Sequence, residues 1–507
     1  MSAGIRHLRY DNSVPTYHVE NFGCRATQAD GAALERQFQA RGLAPAPAAQ
    51  ADLVILNSCT VTNSADQDAR AAIRRVQRQN PLARIIVTGC YAQRAPEEIA
   101  ALPGVTAVVG NSHKHQLAEL VLGKNFRPSR TFLPVSALTE NRELRTENCT
   151  SENSIFVSDI FAHTELLAAP VFESARGAGS HQNDRTRPNL KVQDGCDNRC
   201  SFCVIPSVRG QSRSLPLPQV IREMNLLVAA GYREVVISGI NLGRWGRDLA
   251  ASGQISVPTG FRLPEAGTRK PNFESLLRAI LAETELEKLR ISSVEPMDWS
   301  RDLIALVASS PRIAKHAHVP LQSGSDAVLR RMHRKYRPWH YREKIEKIRA
   351  AMPTAAIGAD VMVGFPGETD AEFESTRRLI ADLPFTYLHV FTYSARPGTP
   401  AAAMPNQVPV HVAHERNKIL RDLAASKKLA FMQSFVGKSL DAITLSVVHN
   451  RPEGEFTEAL TDNYQKLYLK GRHEANQWVT AHVAGVEDGA FLGSLSVPAD
   501  PPIELAS

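Results

Sequence analysis

Three cysteines lie close together near the middle of the chain, at Cys196, Cys200 and Cys203, spaced four and then three residues apart. This spacing lets one loop turn all three sulfurs towards a single point. Three thiolates are one fewer than the four that usually hold an iron–sulfur cluster, which leaves the fourth iron open to a small molecule. Zinc is the alternative, but zinc sites usually take four protein ligands and a second CxxC pair, and neither lies nearby. The spacing therefore predicts a cluster that does chemistry at its open iron.

A second set of cysteines, Cys24, Cys59 and Cys90, is spread along the amino-terminal part of the chain, at separations of 35 and 31 positions. Each closely follows a short apolar run that predicts a strand of a parallel α/β sheet. Loops at the carboxyl ends of neighbouring parallel strands line one crevice, so we expect the three thiols to converge. Taken alone, each cysteine is more typical of a buried core, but their shared position favours a second cluster. The runs are Thr16–Glu20, Leu53–Asn57 and Arg84–Thr88, and Val105–Val109 is a fourth.

The composition is that of an ordinary globular protein, with 43% hydrophobic and 22% charged residues. No apolar run approaches the roughly 20 residues that span a bilayer, and residues 1–16 lack the apolar core of a secretory signal. Seven cysteines without an export signal favour reduced thiols or metal ligands over disulfides, so we expect a cytoplasmic protein without membrane contact. Cys149 lies in a polar stretch and is expected to be a bystander. A net charge of +7 is compatible with a polyanionic partner.

The central cysteine motif, with Phe202 before its last cysteine, resembles the signature of the radical S-adenosylmethionine family. The sequences NSCTVTN at 57–63 and TGCYAQ at 88–93 resemble the amino-terminal domain of the methylthiotransferases of that family. Ser58 and Arg25 stand where that family more often has Thr and Lys. The resemblance implies two 4Fe–4S clusters and S-adenosylmethionine as cofactors, with a 5′-deoxyadenosyl radical as the reactive species. It assigns the radical-generating cluster to Cys196, Cys200 and Cys203, and the sulfur-delivering cluster to Cys24, Cys59 and Cys90.

The residues Thr60-Val61-Thr62-Asn63 resemble one branch of these enzymes, which acts on N6-threonylcarbamoyladenosine in tRNA. This implies conversion of that nucleoside at position 37 to its 2-methylthio derivative, with the tRNA anticodon loop as partner and an electron donor such as flavodoxin or ferredoxin. A sibling enzyme acting on isopentenyladenosine tRNA or on a ribosomal protein is an alternative, although its sequence usually differs here. A more remote alternative is a non-catalytic iron–sulfur protein that binds RNA.

The elements that position these cysteines follow from the alternation of apolar runs and amphipathic segments. The predicted fold class is α/β: a parallel α/β sheet domain at 16–124, an inserted linker at 125–186, a partial (β/α)6 barrel at 187–432 and a small antiparallel β-barrel at 437–497. The barrel strands are expected at Asn189–Gln193, Glu234–Ser238, Lys288–Ser292, His316–Leu321, Ala356–Val363 and Tyr387–Tyr393, with helices such as Leu217–Ala230 and Phe273–Leu281 between them.

Small and polar residues follow the predicted barrel strands. Because the chemistry of a (β/α) barrel gathers at the carboxyl ends of its strands, we expect these residues to bind S-adenosylmethionine. Each of them taken singly is also ordinary turn chemistry, and only their coincidence at one rim favours a ligand site. The segments also resemble the core of the radical S-adenosylmethionine methylthiotransferases. The predicted contacts are Ser238, Gly239, Asn241, Ser292, Glu295, Gln322 and Asp360.

Two further segments are candidates for RNA contact. The predicted helix Ala327–Met352 is rich in Lys and Arg with Tyr and Trp between them, a mixture that suits phosphate contact and base stacking, although a solvated helical face is the alternative. The carboxyl-terminal barrel resembles the TRAM domain, and its Asp462-Asn463-Tyr464 resembles a motif found in the middle of that domain. Acidic residues outnumber Lys and Arg there, so charge alone does not predict RNA binding.

Overall fold

The computed structural model of the chain describes residues 14–122, 154–163, 166, 186–249 and 271–496. The chain divides into two compact units. The first takes residues 1–167 together with Ser207–Arg209, and the second takes the remaining residues. Cys149 and most of the predicted linker at 125–186 lie outside the described residues, so the expectations for them stay predictions.

The first unit is built on a parallel six-stranded sheet. Its central strand, Leu53–Ser58, is buried along its whole length, which explains its unbroken apolar sequence. The four predicted strands are present, and Ser154–Phe156, from within the predicted linker, pairs with Val105–Gly110 as the sheet's edge. The strands are Thr16–Asn21, Ala44–Pro45, Leu53–Ser58, Arg84–Gly89, Val105–Gly110 and Ser154–Phe156; the α-helices are Arg25–Gln39, Asn63–Gln79, Cys90–Arg94, Pro96–Ala100 and Leu117–Leu122, with 3-10 turns at Lys114–Gln116 and Ile160–Ala162.

The second unit begins with the predicted partial barrel. Its seven strands form two hydrogen-bonded sheets that are linked by bridges from Leu289 to Ile313 and from Ser293 to His318. All pairs are parallel except the short strand Arg213–Ser214. The six predicted strands are confirmed, although His316–His318 is shorter than expected. The strands are Asn189–Asp194, Arg213–Ser214, Glu234–Gly239, Lys288–Ile291, His316–His318, Ala356–Val363 and Tyr387–Thr392; the helices are Ile205–Arg209, Leu217–Ala229, Phe273–Glu283, Arg301–Ser309, Asp326–Arg331, Pro338–Ala351 and Asp370–Asp382, with 3-10 turns at Leu242–Arg244, Pro296–Asp298 and Pro400–Ala403.

The single helix predicted over Ala327–Met352 is wrong, because the structure has two helices separated by an irregular segment. Pro338 is the first residue of the second helix, where its missing N–H costs nothing. Arg337 before it is extended, with φ −124° and ψ 164°, as steric conflict with the proline ring requires. The break frees Arg334 from helical geometry, with consequences for the site described below.

Many of the cations in this segment are used inside the protein. Arg330 and Arg337 both pair with Asp326, at 2.9 and 3.1 Å. Arg349 donates hydrogen bonds to backbone carbonyl groups at 2.7 and 2.8 Å. Trp339, by contrast, is 55% exposed. Because these cations are engaged within the protein, the RNA contact expected of this segment is limited to the region of Trp339, at the start of the second helix.

The chain ends in a closed five-stranded barrel that follows a 24-residue helix, Val410–Gln433. The barrel is confirmed, but its strands are not all antiparallel, because Lys466–Lys470 and Ala490–Leu495 pair in parallel and close it. None of the helices in the described ranges, this one included, is long and apolar enough to cross a membrane. The strands are Ser439–Arg451, Gly454–Thr461, Lys466–Lys470, Trp478–Glu487 and Ala490–Leu495.

The turn Asp462–Tyr464 packs against the amino end of the partial barrel. Arg290 donates to the Asp462 carbonyl at 3.0 Å, and Lys288 pairs with the Asp462 carboxylate at 3.2 Å. The Tyr464 ring lies 4.6 Å from the His316 ring, centroid to centroid. The segment that resembles the TRAM motif is therefore engaged within the protein.

Candidate functional site

The cysteines of the first unit, called the dispersed triad below, lie at the carboxyl ends of three adjacent parallel strands. The register pairs Asn21 with Asn57 and Ser58 with Gly89, so the residues that follow these strands meet at one edge of the sheet. Each strand then turns directly into a helix or loop, and Cys90 is itself the first residue of a helix. The dispersed triad is Cys24, Cys59 and Cys90.

Two glycines allow the loops of the dispersed triad to approach closely. A Cβ on Gly23 would lie 2.6 Å from the Cys59 Cβ and 2.9 Å from its Sγ. A Cβ on Gly89 would lie 2.2 Å from the Ser58 carbonyl oxygen. Both glycines have φ near +100°, which side chains rarely tolerate. The predicted convergence therefore depends on a glycine immediately before Cys24 and another before Cys90.

The thiols of the dispersed triad lie close enough to influence one another. Burial and the neighbouring Cys90 and Cys24 thiols together raise the pKa of Cys59 to about 12. Three thiolates cannot share this space without positive charge, whereas iron supplies that charge and displaces the thiol protons. The residues therefore fit an iron–sulfur cluster. Cys24 is exposed, so the triad is open on one side.

Within the described part of the chain, the side chains that hydrogen-bond Cys24 and Cys90 are neutral, and Arg209 acts on Cys59 through its charge. Thr27 Oγ1 lies 3.5 Å from Cys24 Sγ. The Asn111 amide donates to Cys90 Sγ at 3.6 Å and to the Val208 carbonyl at 2.7 Å, which fixes its direction. Neutral donors stabilise thiolate charge less than cationic ones do.

A buried ion network, which the sequence reasoning missed, supports the same end of the sheet. Asp30 accepts from Lys114 Nζ at 3.0 Å and from Arg209 at 3.1 Å. Lys114 also donates to Asn57 Oδ1 at 3.1 Å, two residues before Cys59. The only sequence signal for it was an aspartate on the buried face of the helix Arg25–Gln39.

The second set of cysteines, Cys196, Cys200 and Cys203, is called the compact triad because one loop carries it. The Cys203 N–H donates to the Cys200 carbonyl at 3.1 Å. A Cβ on Gly195 would lie 1.9 Å from the Gln211 carbonyl oxygen, so the loop begins at an obligatory glycine with φ +72°. Burial raises the pKa of Cys203 to about 12, and the Cys200 and Cys196 thiols add to the rise. These thiols also fit a cluster.

One sulfur of the compact triad receives a charged hydrogen bond. Arg334, 7% exposed, donates to Cys200 Sγ at 3.2 Å and is paired with the Glu295 carboxylate. Cys196 Sγ receives the Asn198 backbone N–H at 3.4 Å and the Asn241 amide at 3.6 Å. Sequence reasoning missed Arg334 because it was counted among the surface cations of a helix.

A partly open cleft lies beside Cys200. Its lining includes Glu295, Arg244 and Lys335, which offer both signs of charge. The cleft therefore has the chemistry to receive the amino and carboxylate groups of an amino acid at the side of the compact triad.

Several of the predicted ligand contacts carry buried polar atoms that lack a hydrogen-bond partner within the described part of the chain: Ser238 Oγ, Asn241 Oδ1 and Gln322 Oε1. Buried polar groups are almost always paired, so these atoms fit a site that binds a polar ligand. Gln322 also has φ +64°, a backbone strain that often marks functional sites. Gly239 packs against Gln193, 2.8 Å from where a Cβ would lie.

Two predicted contacts stand apart from this group. Ser292 is half-buried, and its N–H donates to the Ile237 carbonyl at 3.1 Å. The Asp360 backbone carbonyl accepts from the Gln322 N–H at 2.8 Å, but its carboxylate lies 3.4 Å from His318 Nε2. The Asp360 side chain therefore lies beside His318, apart from the group formed by Ser238, Asn241 and Gln322.

Two regions of the chain match known protein families. Residues 16–110 match a family described as uncharacterized protein family UPF0004, and residues 190–380 match the radical SAM superfamily. The chain is 35% identical to the threonylcarbamoyladenosine tRNA methylthiotransferase MtaB of Bacillus subtilis, over 90% of this chain and 91% of that protein. It is 34% identical to the tRNA-2-methylthio-N(6)-dimethylallyladenosine synthase of Novosphingobium aromaticivorans, over 96% and 98%.

Among solved structures, the radical S-adenosylmethionine methyltransferase TsrM of Kitasatospora setae gives a TM-score of 0.49 at 14% identity, over 77% of each chain. At that level of likeness the two chains differ too much for one to inform the site of the other.

Proposed function

The chain belongs to the methylthiotransferase family of radical S-adenosylmethionine enzymes, and we propose that it converts N6-threonylcarbamoyladenosine at position 37 of tRNA to its 2-methylthio derivative. The observation that carries this proposal is the match to threonylcarbamoyladenosine tRNA methylthiotransferases from several bacteria over most of both chains. The proposal is supported by Cys24, Cys59 and Cys90 at the ends of adjacent strands and by Cys196, Cys200 and Cys203 in one loop, all of them free thiols.

The two triads have separate roles. Cys196, Cys200 and Cys203 would hold one 4Fe–4S cluster, which would bind S-adenosylmethionine, and Cys24, Cys59 and Cys90 would hold the other, which would supply the sulfur. When these groups are bound, S-adenosylmethionine supplies a carbon radical that removes hydrogen from the unactivated C–H of the adenine, which no acid–base side chain can do alone.

The surrounding residues orient these groups. Arg334 holds Cys200 and Glu295 in fixed positions through charged hydrogen bonds. Ser238, Asn241 and Gln322 present their unpartnered atoms to S-adenosylmethionine. Gly239, and Glu295 in the lining of the cleft beside Cys200, border the same ligand.

The partners follow from the reaction. The exposed Trp339, at the start of the helix Pro338–Ala351, stacks on a base of the tRNA anticodon loop. Reduction of the compact-triad cluster requires an electron donor such as flavodoxin or ferredoxin, and the substrate places the enzyme in the cytoplasm.

Mass spectrometry of tRNA nucleosides, from a strain lacking this gene and from its parent, tests the proposal. We expect the 2-methylthio form to disappear and its N6-threonylcarbamoyladenosine precursor to rise. Restoring the gene should restore the product, whereas a Cys200→Ala copy should not. An unchanged threonylcarbamoyladenosine pool with loss of the methylthio-isopentenyl nucleoside would instead assign the chain to the sibling reaction.

A further inference from the structure

A cluster of titratable side chains lies within the partial barrel, next to the predicted ligand rim. His318, Asp360 and His389 come from three neighbouring parallel strands, with Asp360 directly opposite His389. Each offers one ligand atom, and these atoms lie within 4.8 Å of one another. Neither the cluster chemistry nor the S-adenosylmethionine site described above uses the two histidines.

The side chains of this cluster share one face of the sheet with a group of aromatic rings. His316 and His318 point the same way along their strand, as do Tyr387 and His389, because side chains alternate. His316 and Tyr387 contact Tyr464 at ring distances of 4.6 and 6.0 Å. Arg290, from another barrel strand, lies 5.4 Å from the centre of the same ring. His318 and His389 therefore lie on the face of the sheet that Tyr464 contacts.

One member of the cluster is held in a fixed direction with an unsatisfied atom. His318 Nδ1 lies 3.0 Å from Ser293 Oγ, which orients the ring. Its Nε2 then lies 3.4 Å from Asp360 Oδ1, and this buried nitrogen has no hydrogen-bond partner within the described ranges. The His318 side chain is 11% exposed. A buried polar atom of this kind is suited to a ligand.

Aromatic rings lie on one side of the cluster and the predicted ligand rim on the other. At the amino end, the rings of His316, Tyr387 and Tyr464 pack together. At the carboxyl end lies Gln322, bridged to Val361, with its own unpartnered Oε1. His389 is exposed and the Asp360 side chain is 30% exposed, so a substrate group can reach both.

We propose that His318, Asp360 and His389 form the subsite for the polar N6 substituent of the target adenosine. This inference rests on the proposed function. The imidazole N–H groups donate to the carboxylate of the threonylcarbamoyl group, and the Asp360 carboxylate accepts from its hydroxyl or ureido N–H. An isopentenyl substituent offers no donor or acceptor, so it leaves the buried His318 Nε2 without a hydrogen-bond partner. Sites built to hydrogen-bond a substituent reject the analogue that lacks it.

The test compares two anticodon stem-loop RNAs that differ only in carrying N6-threonylcarbamoyladenosine or N6-isopentenyladenosine at position 37. Their dissociation constants are measured by fluorescence anisotropy on the reconstituted full-length enzyme. We expect the wild type to prefer the first RNA and His389→Leu to reduce that preference by about tenfold or more. His411→Leu, at an exposed histidine on the helix Val410–Gln433, is the matched control and should keep the preference. If part of a variant is unfolded, its apparent affinity for both RNAs falls by the same factor, and the ratio of the two dissociation constants does not change.

The outcomes separate this inference from the proposed function. If the wild type forms methylthio product on the threonylcarbamoyl RNA but His389→Leu keeps the full preference, the subsite is wrong and the function stands. If the wild type forms no product on that RNA, the proposed function fails. Stoichiometric zinc or manganese in the wild type that is lost in His389→Leu would assign the three side chains to a cation and overturn the subsite, since two histidines and a carboxylate also suit a divalent metal.

Discussion

The dispersed and compact triads offer the same three thiols but are built in different ways. The compact triad is carried by one loop, so its geometry is nearly local. The dispersed triad exists only when three strands of the first sheet are in register, and it depends on Gly23 and Gly89 to bring the loops together. Local spacing is therefore enough to recognise one cluster site, whereas the other is a property of the fold.

The two triads also differ in what surrounds their sulfurs. Arg334 gives the compact triad a charged donor on Cys200, while Thr27 and Asn111 give the dispersed triad neutral donors. Hydrogen bonds to cluster sulfurs help set the reduction potential. The difference is consistent with the proposed roles, in which the compact triad holds the cluster that accepts and passes on an electron and the dispersed triad holds the cluster that delivers sulfur.

The largest expected effect comes from removing one thiol of each triad. Cys200→Ala should abolish both cleavage of S-adenosylmethionine and methylthio product, because the radical-generating cluster loses a ligand. Cys59→Ala should abolish the methylthio product while deoxyadenosine still forms. Chromatography of deoxyadenosine and mass spectrometry of the RNA measure the two activities. Deoxyadenosine from Cys200→Ala, or methylthio product from Cys59→Ala, would show that the roles are wrongly assigned.

A smaller effect is expected from a backbone change that affects the dispersed triad and leaves the compact triad unchanged. Gly89→Ala places a Cβ 2.2 Å from the Ser58 carbonyl oxygen at φ +99°, so it should destabilise the first unit by about 2–3 kcal/mol and lower the iron content. Gly42→Ala is the matched control, because Gly42 has φ +79° with nothing within 4 Å of the added Cβ. It should cost about 1 kcal/mol and keep the iron. If urea unfolding gives the same loss of stability for Gly89→Ala and Gly42→Ala, the positive φ explains the need for glycine at position 89, and the close contact with Ser58 does not.

The smallest expected effect comes from removing the hydrogen-bond donors to the cysteine sulfurs. Arg334→Gln removes a positive charge that stabilises the more negative reduced cluster, so the reduction potential should fall by on the order of 60 mV, a tenfold change in equilibrium for one electron. Asn111→Ala removes a neutral donor from Cys90 and should shift its cluster less. Redox titration followed by electron paramagnetic resonance measures both. A larger shift in Asn111→Ala would contradict the contrast between the two environments.

Much of the fold followed from the sequence because alternating strands and helices leave a strong local pattern. The six barrel strands and the terminal barrel were predicted, and so was the convergence of Cys24, Cys59 and Cys90. The single helix predicted over Ala327–Met352 was wrong because the prediction followed the run of charged residues and neglected Pro338. The effect of a proline on the residue before it is local, so the sequence could have shown the break.

The remaining site features depend on contacts between residues far apart in sequence. Arg334 reaches Cys200 across 134 residues, and Asp30 meets Lys114 across 84. The meeting of His318 with Asp360 depends on strand register, which no single segment reveals. Spacing can identify thiols within one loop, but it cannot show which cations and imidazoles the fold places beside them.

The most direct test of two independent triads is the iron and sulfide content of anaerobically reconstituted protein. The wild type should hold about eight irons per chain, because each 4Fe–4S cluster holds four. The triple variants Cys24→Ala/Cys59→Ala/Cys90→Ala and Cys196→Ala/Cys200→Ala/Cys203→Ala should each hold about four. A wild type with about four irons, or either triple variant that keeps the full wild-type amount, would contradict the account.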